Sequence, residues 1–356
     1  EFDPAQMRNV MDNFWDVVLS PVAINKFFHA VFDGWVVGAV FVCGVSAWFL
    51  LKNKRREFAL DSIRIAGWTG LAGIVLTLWT GDGSAVQVAR VQPMKLAAME
   101  GLYNGKVGQE IVGFGLLDPS KTLNDGKDPF IFDISIPYGL SILANHDANT
   151  FVPGINDLIE GISLTPEGDT IRTESYAERI AIGKRAHEAL RDFDRAMTDG
   201  DTAAMAEARA RLKEDYRYFG YGYLDSPEEA IPPVGMTFYS FHIMVLAGGY
   251  LLLFFILAVI SSARGGRLWE RKWWQWVAIL TIPVVWICSE AGWVTAEVGR
   301  QPWIIEGLMP ARAAISAISA STVQLTFWMF AAVFTALLVA EVTIMINQIR
   351  RGPENH

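Results

Sequence analysis

Five stretches of the chain are apolar for long enough to cross a bilayer: residues 30–51, 62–80, 235–260, 273–294 and 323–346. Each is close to the roughly 20 residues that a helix needs to span the hydrocarbon. The second holds Arg64 near one end. Basic residues cluster between the runs, as "KNKRR" (52–56), "RGGRLWERK" (264–272) and "RR" (350–351). If all five runs span, these clusters fall on one side, and the positive-inside bias makes that side the cytoplasm. The start of the chain, the 81–233 segment and the 297–322 segment then face outward.

The polar pattern of 81–233 is different. The segment opens with "TGDGS" (80–84), which reads as a glycine turn. Its later half predicts two helices, 174–198 and 202–219, broken by "DGD" (199–201), with Asp201 or Thr202 as cap of the second. "SPEEAIPPVG" (226–235) closes it, since proline does not continue a helix. A structureless stretch this long is unusual in a compact protein, so a folded extramembrane domain is expected. The fold class is thus an all-α membrane protein: a five-helix transmembrane bundle with a large, mainly helical periplasmic loop domain. The segments divide as 1–80 (an outer amphipathic segment and two spans), 81–233 (the loop) and 234–356 (three spans).

Composition sharpens this picture at a few points. The chain of 356 residues is 52% hydrophobic with 13 Trp, which suits membrane helices plus a water-exposed part. A net charge of −8 argues against nucleic acid as a partner. Cys43 and Cys288, the two cysteines, lie in apolar runs and read as small buried hydrophobes. The opening "EFDPAQM" has no signal-peptide pattern and reads as the start of a fragment or of one piece of a split subunit.

Few residues inside the runs can carry chemistry. His29, at the mouth of the first span, is either an interfacial histidine or a metal ligand. His242 and Met244 begin the third span, about 200° apart around a helix, so at most one of them meets a site in the bundle. Met244 alone reads as packing, yet methionine opposite histidine is an electron-transfer haem ligation. Gly248 and Gly249, about one turn further in, permit close helix approach or leave room for a macrocycle. "GWVTAEVGRQPW" (292–303) puts Glu297 and Arg300 at a helix mouth, with Trp293 one turn earlier on the same face. An ionisable group at that depth is costly and marks a functional site by default. The alternative is a local ion pair at an exposed helix end. Lys95 and Glu100, just after the glycine turn, lie about 140° apart if helical. They read as a solvated helix or as the lip of a ligand site with an acid/base group.

Four words carry a family resemblance: "SPVAINKFFH" (20–29), "GDGSAVQVARVQPMKLAAME" (81–100), "IPPVGMTFYSFHIMV" (231–245) and "EAGWVTAEVGRQPW" (290–303). In order and spacing the chain resembles subunit I of the cytochrome bd quinol oxidases, over essentially its whole length but weakly between 110 and 225. The resemblance implies His29 and Met244 as axial ligands of a low-spin haem b. It implies Glu297 as the carboxylate serving a high-spin haem b, Trp293 as the aromatic relay between haems, and Arg300 as a clamp for a propionate or for that carboxylate. Lys95 and Glu100 match the quinol-binding residues of the periplasmic Q-loop. The resemblance also implies a third haem, d or a b-type replacement, at the oxygen site.

The implied activity is a quinol:oxygen oxidoreductase of the bacterial inner membrane that makes water without pumping protons. The implied partners are the family's first four helices, subunit II, a small single-helix subunit, membrane quinone and the lipid bilayer. His242 stands where the family has Arg, which predicts a lower haem potential and leaves His242 as an alternative ligand or propionate partner. A divergent relative feeding another redox partner, or a non-redox channel, are the competing readings.

Overall fold

The structure is a computed structural model that describes residues 2–3, 8–9, 11, 13–165, 169–263 and 266–352. Arg264 of the second basic cluster and most of "EFDPAQM" lie outside the described residues. Among the described residues, five helices are long and apolar enough to cross a membrane. The chain divides into two compact units, residues 1–313 and 314–356.

The first unit opens with the short strands β1 (Phe2–Asp3) and β2 (Arg8–Asn9) and the one-turn helix α1 (Phe14–Val18). Its bundle is built from α2 (Pro21–Leu51) and α3 (Arg56–Val91), and, after the loop domain, the later helices α9 (Val234–Ala263) and α10 (Lys272–Val298). Ser20 caps α2 through its hydroxyl, and Pro21 takes the first turn, where its missing N–H costs nothing. Neighbours pack in the cycle α2–α3–α9–α10–α2, so α2 and α9 lie across a diagonal. Small residues set the spacing. A Cβ at Gly70 of α3 would sit 2.0 Å from the Phe255 ring of α9, and one at Gly44 of α2 would meet Ile282 of α10 at 2.5 Å. At one end of the bundle Arg56 pairs with Glu270 at 2.6 Å, so the 52–56 cluster and the α9–α10 turn share that end.

The loop domain stands at the other end. It contains α4 (Pro93–Glu100), then β3 (Lys106–Val107), β4 (Ile111–Leu117), β5 (Phe130–Ile136), α5 (Gly139–Asn145), β6 (Phe151–Val152), α6 (Ile155–Glu160), β7 (Ile162–Leu164), β8 (Thr170–Arg172), α7 (Tyr176–Asp199) and α8 (Thr202–Asp215). The strands pair antiparallel as β3–β6, β4–β5 and β7–β8. After α10 come β9 (Trp303–Ile305) and β10 (Met309–Pro310). The predicted break between α7 and α8 is present: Gly200 is left-handed at φ 71° and the Asp201 side chain accepts from Ala203 and Ala204 N–H. Met94, Ile155, Tyr176, Tyr221 and Trp303 form the core of this domain. The second unit holds α11 (Ala320–Arg351), which ends in the basic pair Arg350–Arg351.

Two expectations change. "TGDGS" is no turn, because α3 continues through it to Val91, so the loop domain starts about ten residues later than 81. The glycines serve helix approach instead: Asn25 of α2 donates to Thr80 O and Ser84 Oγ, and Gly83 leaves it the space. The largely helical loop domain also carries a β-hairpin, β4–β5, that the sequence reading left unassigned.

Candidate functional site

His29 lies in the third turn of α2, and the imidazole Nδ1 is 2.9 Å from the Thr80 hydroxyl of α3. That hydroxyl has one hydrogen, which it donates to its own helix at Leu76 O (2.9 Å) or Thr77 O (3.1 Å). With that hydrogen on a helix carbonyl, the Thr80 oxygen can accept from His29 Nδ1, the arrangement that leaves the Nε2 lone pair open to a metal. One turn on, Asp33 accepts a 2.7 Å hydrogen bond from Ser289 of α10.

Met244 reaches the same level from α9. The neighbouring Cys288 Sγ donates to Met244 O at 3.4 Å, and a Cβ at Gly292 would sit 2.9 Å from the Met244 sulfur. The Cys288–Ser289 step thus touches α9 at Met244 and α2 at Asp33, one turn from His29, so the two candidates stand within about a turn of each other on diagonal helices. Gly248, one turn beyond Met244, is buried, yet a Cβ built there meets nothing within 4 Å. A neutral imidazole, a thioether and open space beside a buried glycine fit a low-spin haem with His–Met ligation.

His242 is placed differently. Its Nδ1 faces Phe238 O at 2.9 Å and its Nε2 faces Val112 O of β4 at 2.8 Å. Both ring nitrogens are engaged by carbonyls, so His242 ties the hairpin to α9 and has no nitrogen to offer an iron or a propionate. The 200° separation from Met244 explains this division of labour. His242→Ala is expected to leave the low-spin haem spectrum unchanged. It should cost about 1–3 kcal/mol of stability, the penalty of unpairing a buried carbonyl, read from denaturant unfolding of the purified protein.

Trp293, Glu297 and Arg300 occupy the C-terminal end of α10. Trp293 is 66% exposed, and Glu297 pairs with Arg300. Trp293 and Glu297 lie on the outer face of the helix, whereas Cys288, Ala291 and Thr295 are buried in the bundle. Met244 and Glu297 therefore adjoin different faces of α10. Arg300 keeps a buried Nε with no partner among the described residues, a donor available to a carboxylate such as a propionate. The "RQPW" turn contains a cis Gln301–Pro302 peptide, and it sends Trp303 into the loop-domain core, 5.0 Å from the Tyr221 ring.

Lys95 and Glu100 sit on α4 but point to different places. Lys95 donates to Ala296 O at 3.1 Å, satisfying a carbonyl in the last turn of α10. Burial, aided by the Lys26 and Arg300 charges, pulls its ammonium down to about 8. Glu306, which the sequence reading missed, keeps an exposed face; the protein packed around it nevertheless pushes its carboxyl up to about 7, against Gln92 and Lys95. Glu100 is 2% exposed. Its Oε2 accepts from Val112 N–H at 3.4 Å, while Oε1 has no partner among the described residues. Burial pushes this carboxyl up to about 8. Glu100 and His242 thus hold the N–H and the C=O of the same strand residue, Val112.

The raised Glu100 carboxyl has a stability consequence. An unfolded glutamate ionises near 4.5, whereas the folded one holds its proton to about 8. Between those values the fold binds more protons than the unfolded chain, so stability falls as pH rises through that window. Glu100→Gln is expected to melt higher than wild type at pH 7 and to lose this slope, which thermal scans from pH 4.5 to 8.5 would show.

The family model described as cytochrome bd terminal oxidase subunit I matches residues 1–353. The chain belongs to that family. Subunit 1 of the cytochrome bd-II ubiquinol oxidase of Escherichia coli K12 is 34% identical over 99% of this chain and 67% of its own length. Subunit 1 of the Bacillus subtilis 168 cytochrome bd ubiquinol oxidase is 27% identical over 98% of this chain and 61% of its own. The solved bd oxidase of Geobacillus thermodenitrificans shares the fold, with a TM-score of 0.69 at 23% identity, covering 99% of this chain and 63% of that one. The chain thus spans about two thirds of its cytochrome bd relatives.

Proposed function

We propose that this chain forms the electron-entry part of a quinol:oxygen oxidoreductase, oxidising membrane quinol at its loop-domain end. One observation supports this reading above the others. His29, beside the Thr80 hydroxyl, and Met244 stand within about a turn of each other on diagonal helices, with open space at Gly248. Bound between His29 Nε2 and the Met244 sulfur, a low-spin haem b would supply one-electron transfer, and methionine would raise its potential. A quinol gives up two protons with its two electrons. Glu100, buried beside the bundle with an unpartnered oxygen, is the base that takes a hydroxyl proton in this reading. Lys95 orients the headgroup from the end of α10, and Glu306 passes protons toward the loop surface. That surface is the periplasmic side if the basic end at 52–56 and 267–272 faces the cytoplasm.

Glu297 is assigned to a high-spin haem and Arg300 to its propionate or to Glu297 itself, with Trp293 as the aromatic between haems. Their exposed face on α10 is where further helices and subunit II would complete a haem d or b oxygen site.

The reading is tested on the assembled complex by following oxygen consumption with an added ubiquinol or menaquinol. It predicts quinol-dependent uptake, and absence of uptake in haem-replete complex would overturn it. Glu297→Gln is expected to lower high-spin haem content and turnover by more than about tenfold, as loss of a metal-site ligand should, while the low-spin spectrum persists.

A further inference from the structure

We propose that the β4–β5 hairpin is a membrane anchor whose apolar face lies in the headgroup–acyl boundary of the bilayer. The hairpin carries an apolar face that nothing in the described chain covers. Phe114 and Leu116 of β4 oppose Ile134 and Phe132 of β5, with Ile136 continuing the face, and all five are 45–60% exposed. Phe132, Ile134 and Ile136 recur every second residue, as one face of a strand requires. The Phe114 and Phe132 rings are 6.5 Å apart. Asp133 and Ser135, which alternate with Phe132, Ile134 and Ile136, point the other way and hydrogen-bond to each other. A contiguous apolar patch rimmed by polar residues marks an interaction site.

The attachment of the hairpin identifies the occupant. Tyr239 OH of α9 accepts from Leu117 N–H at 3.1 Å, His242 binds Val112 O at 2.8 Å, and the Phe130 ring lies 5.5 Å from Phe238. Tyr239 belongs to an exposed stripe of α9: Met236, Tyr239, Ile243, Leu246, Tyr250 and Leu253. Spacings of three and four put these residues on one side, the side a spanning helix shows to lipid. The hairpin hangs from the first two turns of that stripe, so its apolar face continues the lipid-facing surface at the depth of the interface. Aromatic residues favour that depth because one end of the ring system is apolar and the other wet. Tyr138, exposed just past β5, fits the same belt.

The inference does not depend on the quinol reading. It is tested by spin-label accessibility in the complete complex held in lipid nanodiscs. Single cysteines are placed at Phe132, Ile134 and Ile136, at the exposed Asp133 on the opposite face, and at Met197 on α7 as an aqueous reference. Cys43 and Cys288 are buried, and labelled wild type provides the blank. Positions 132, 134 and 136 are expected to show high collision with oxygen and severalfold less with nickel-EDDA than position 197, while position 133 behaves as aqueous. Nickel collisions at 132–136 equal to those at 197 would place the face in water. Exclusion of both relaxers would mean another protein covers it. Either result overturns the proposal, and agreement among three separate variants guards against one that misfolds.

Discussion

His29→Ala and Met244→Ala should each abolish the low-spin haem b signal in the reduced-minus-oxidised spectrum of the assembled complex. Quinol-dependent turnover should fall by more than about 100-fold, beyond what loss of a merely supporting contact to a metal site costs. The two residues occupy helices that do not pack against each other, so neither substitution disturbs a shared interface. Thr80→Val offers a graded control. It removes the acceptor that holds the His29 proton on Nδ1, and it should weaken haem retention by about ten- to a hundredfold without removing a ligand. Spectra in which the His29 or Met244 variant keeps a normal low-spin signal would contradict the assignment.

Glu100→Gln carries the second large effect. A general base must be ionised to accept a proton, and burial keeps Glu100 protonated to about 8. Quinol oxidation limited by this step should therefore rise with pH and level off above about 8. The glutamine variant should lose about 10²–10⁴ in kcat, the usual worth of a positioned base, together with that rising limb. Lys95→Met should raise KM for quinol about ten- to a hundredfold, the worth of a charge-assisted hydrogen bond, and leave the pH limb in place. Steady-state oxygen uptake from pH 5.5 to 9 with a soluble quinol separates the two.

The spans were legible because long apolar runs leave few alternatives in a bilayer. The same bias hid the true end of α3. Glycines in "TGDGS" read as a turn by propensity, whereas Gly81 and Gly83 sit where His29 and Asn25 approach the helix. Thr80 was the missed partner, and a hydroxyl near the end of an apolar run is a weak signal without knowledge of which helix faces it. The opposed faces of His242 and Met244 followed from helical geometry alone. What His242 binds did not, because its acceptor, Val112 O, is 130 residues away in sequence. The hairpin escaped notice because "IVGFGLL" does not alternate, the alternation in "FIFDISI" is short, and two bulges break their register. Glu306 lies past the turn of "GRQPW", and only the fold brings it beside Lys95.

The central claim is one iron held by His29 and Met244. Near-infrared magnetic circular dichroism of the oxidised, assembled complex reads axial ligands directly. A low-spin band characteristic of histidine–methionine ligation, absent in Met244→Ala and unchanged in His242→Ala, is the predicted result. A bis-histidine band, or a methionine band that survives Met244→Ala, would contradict it.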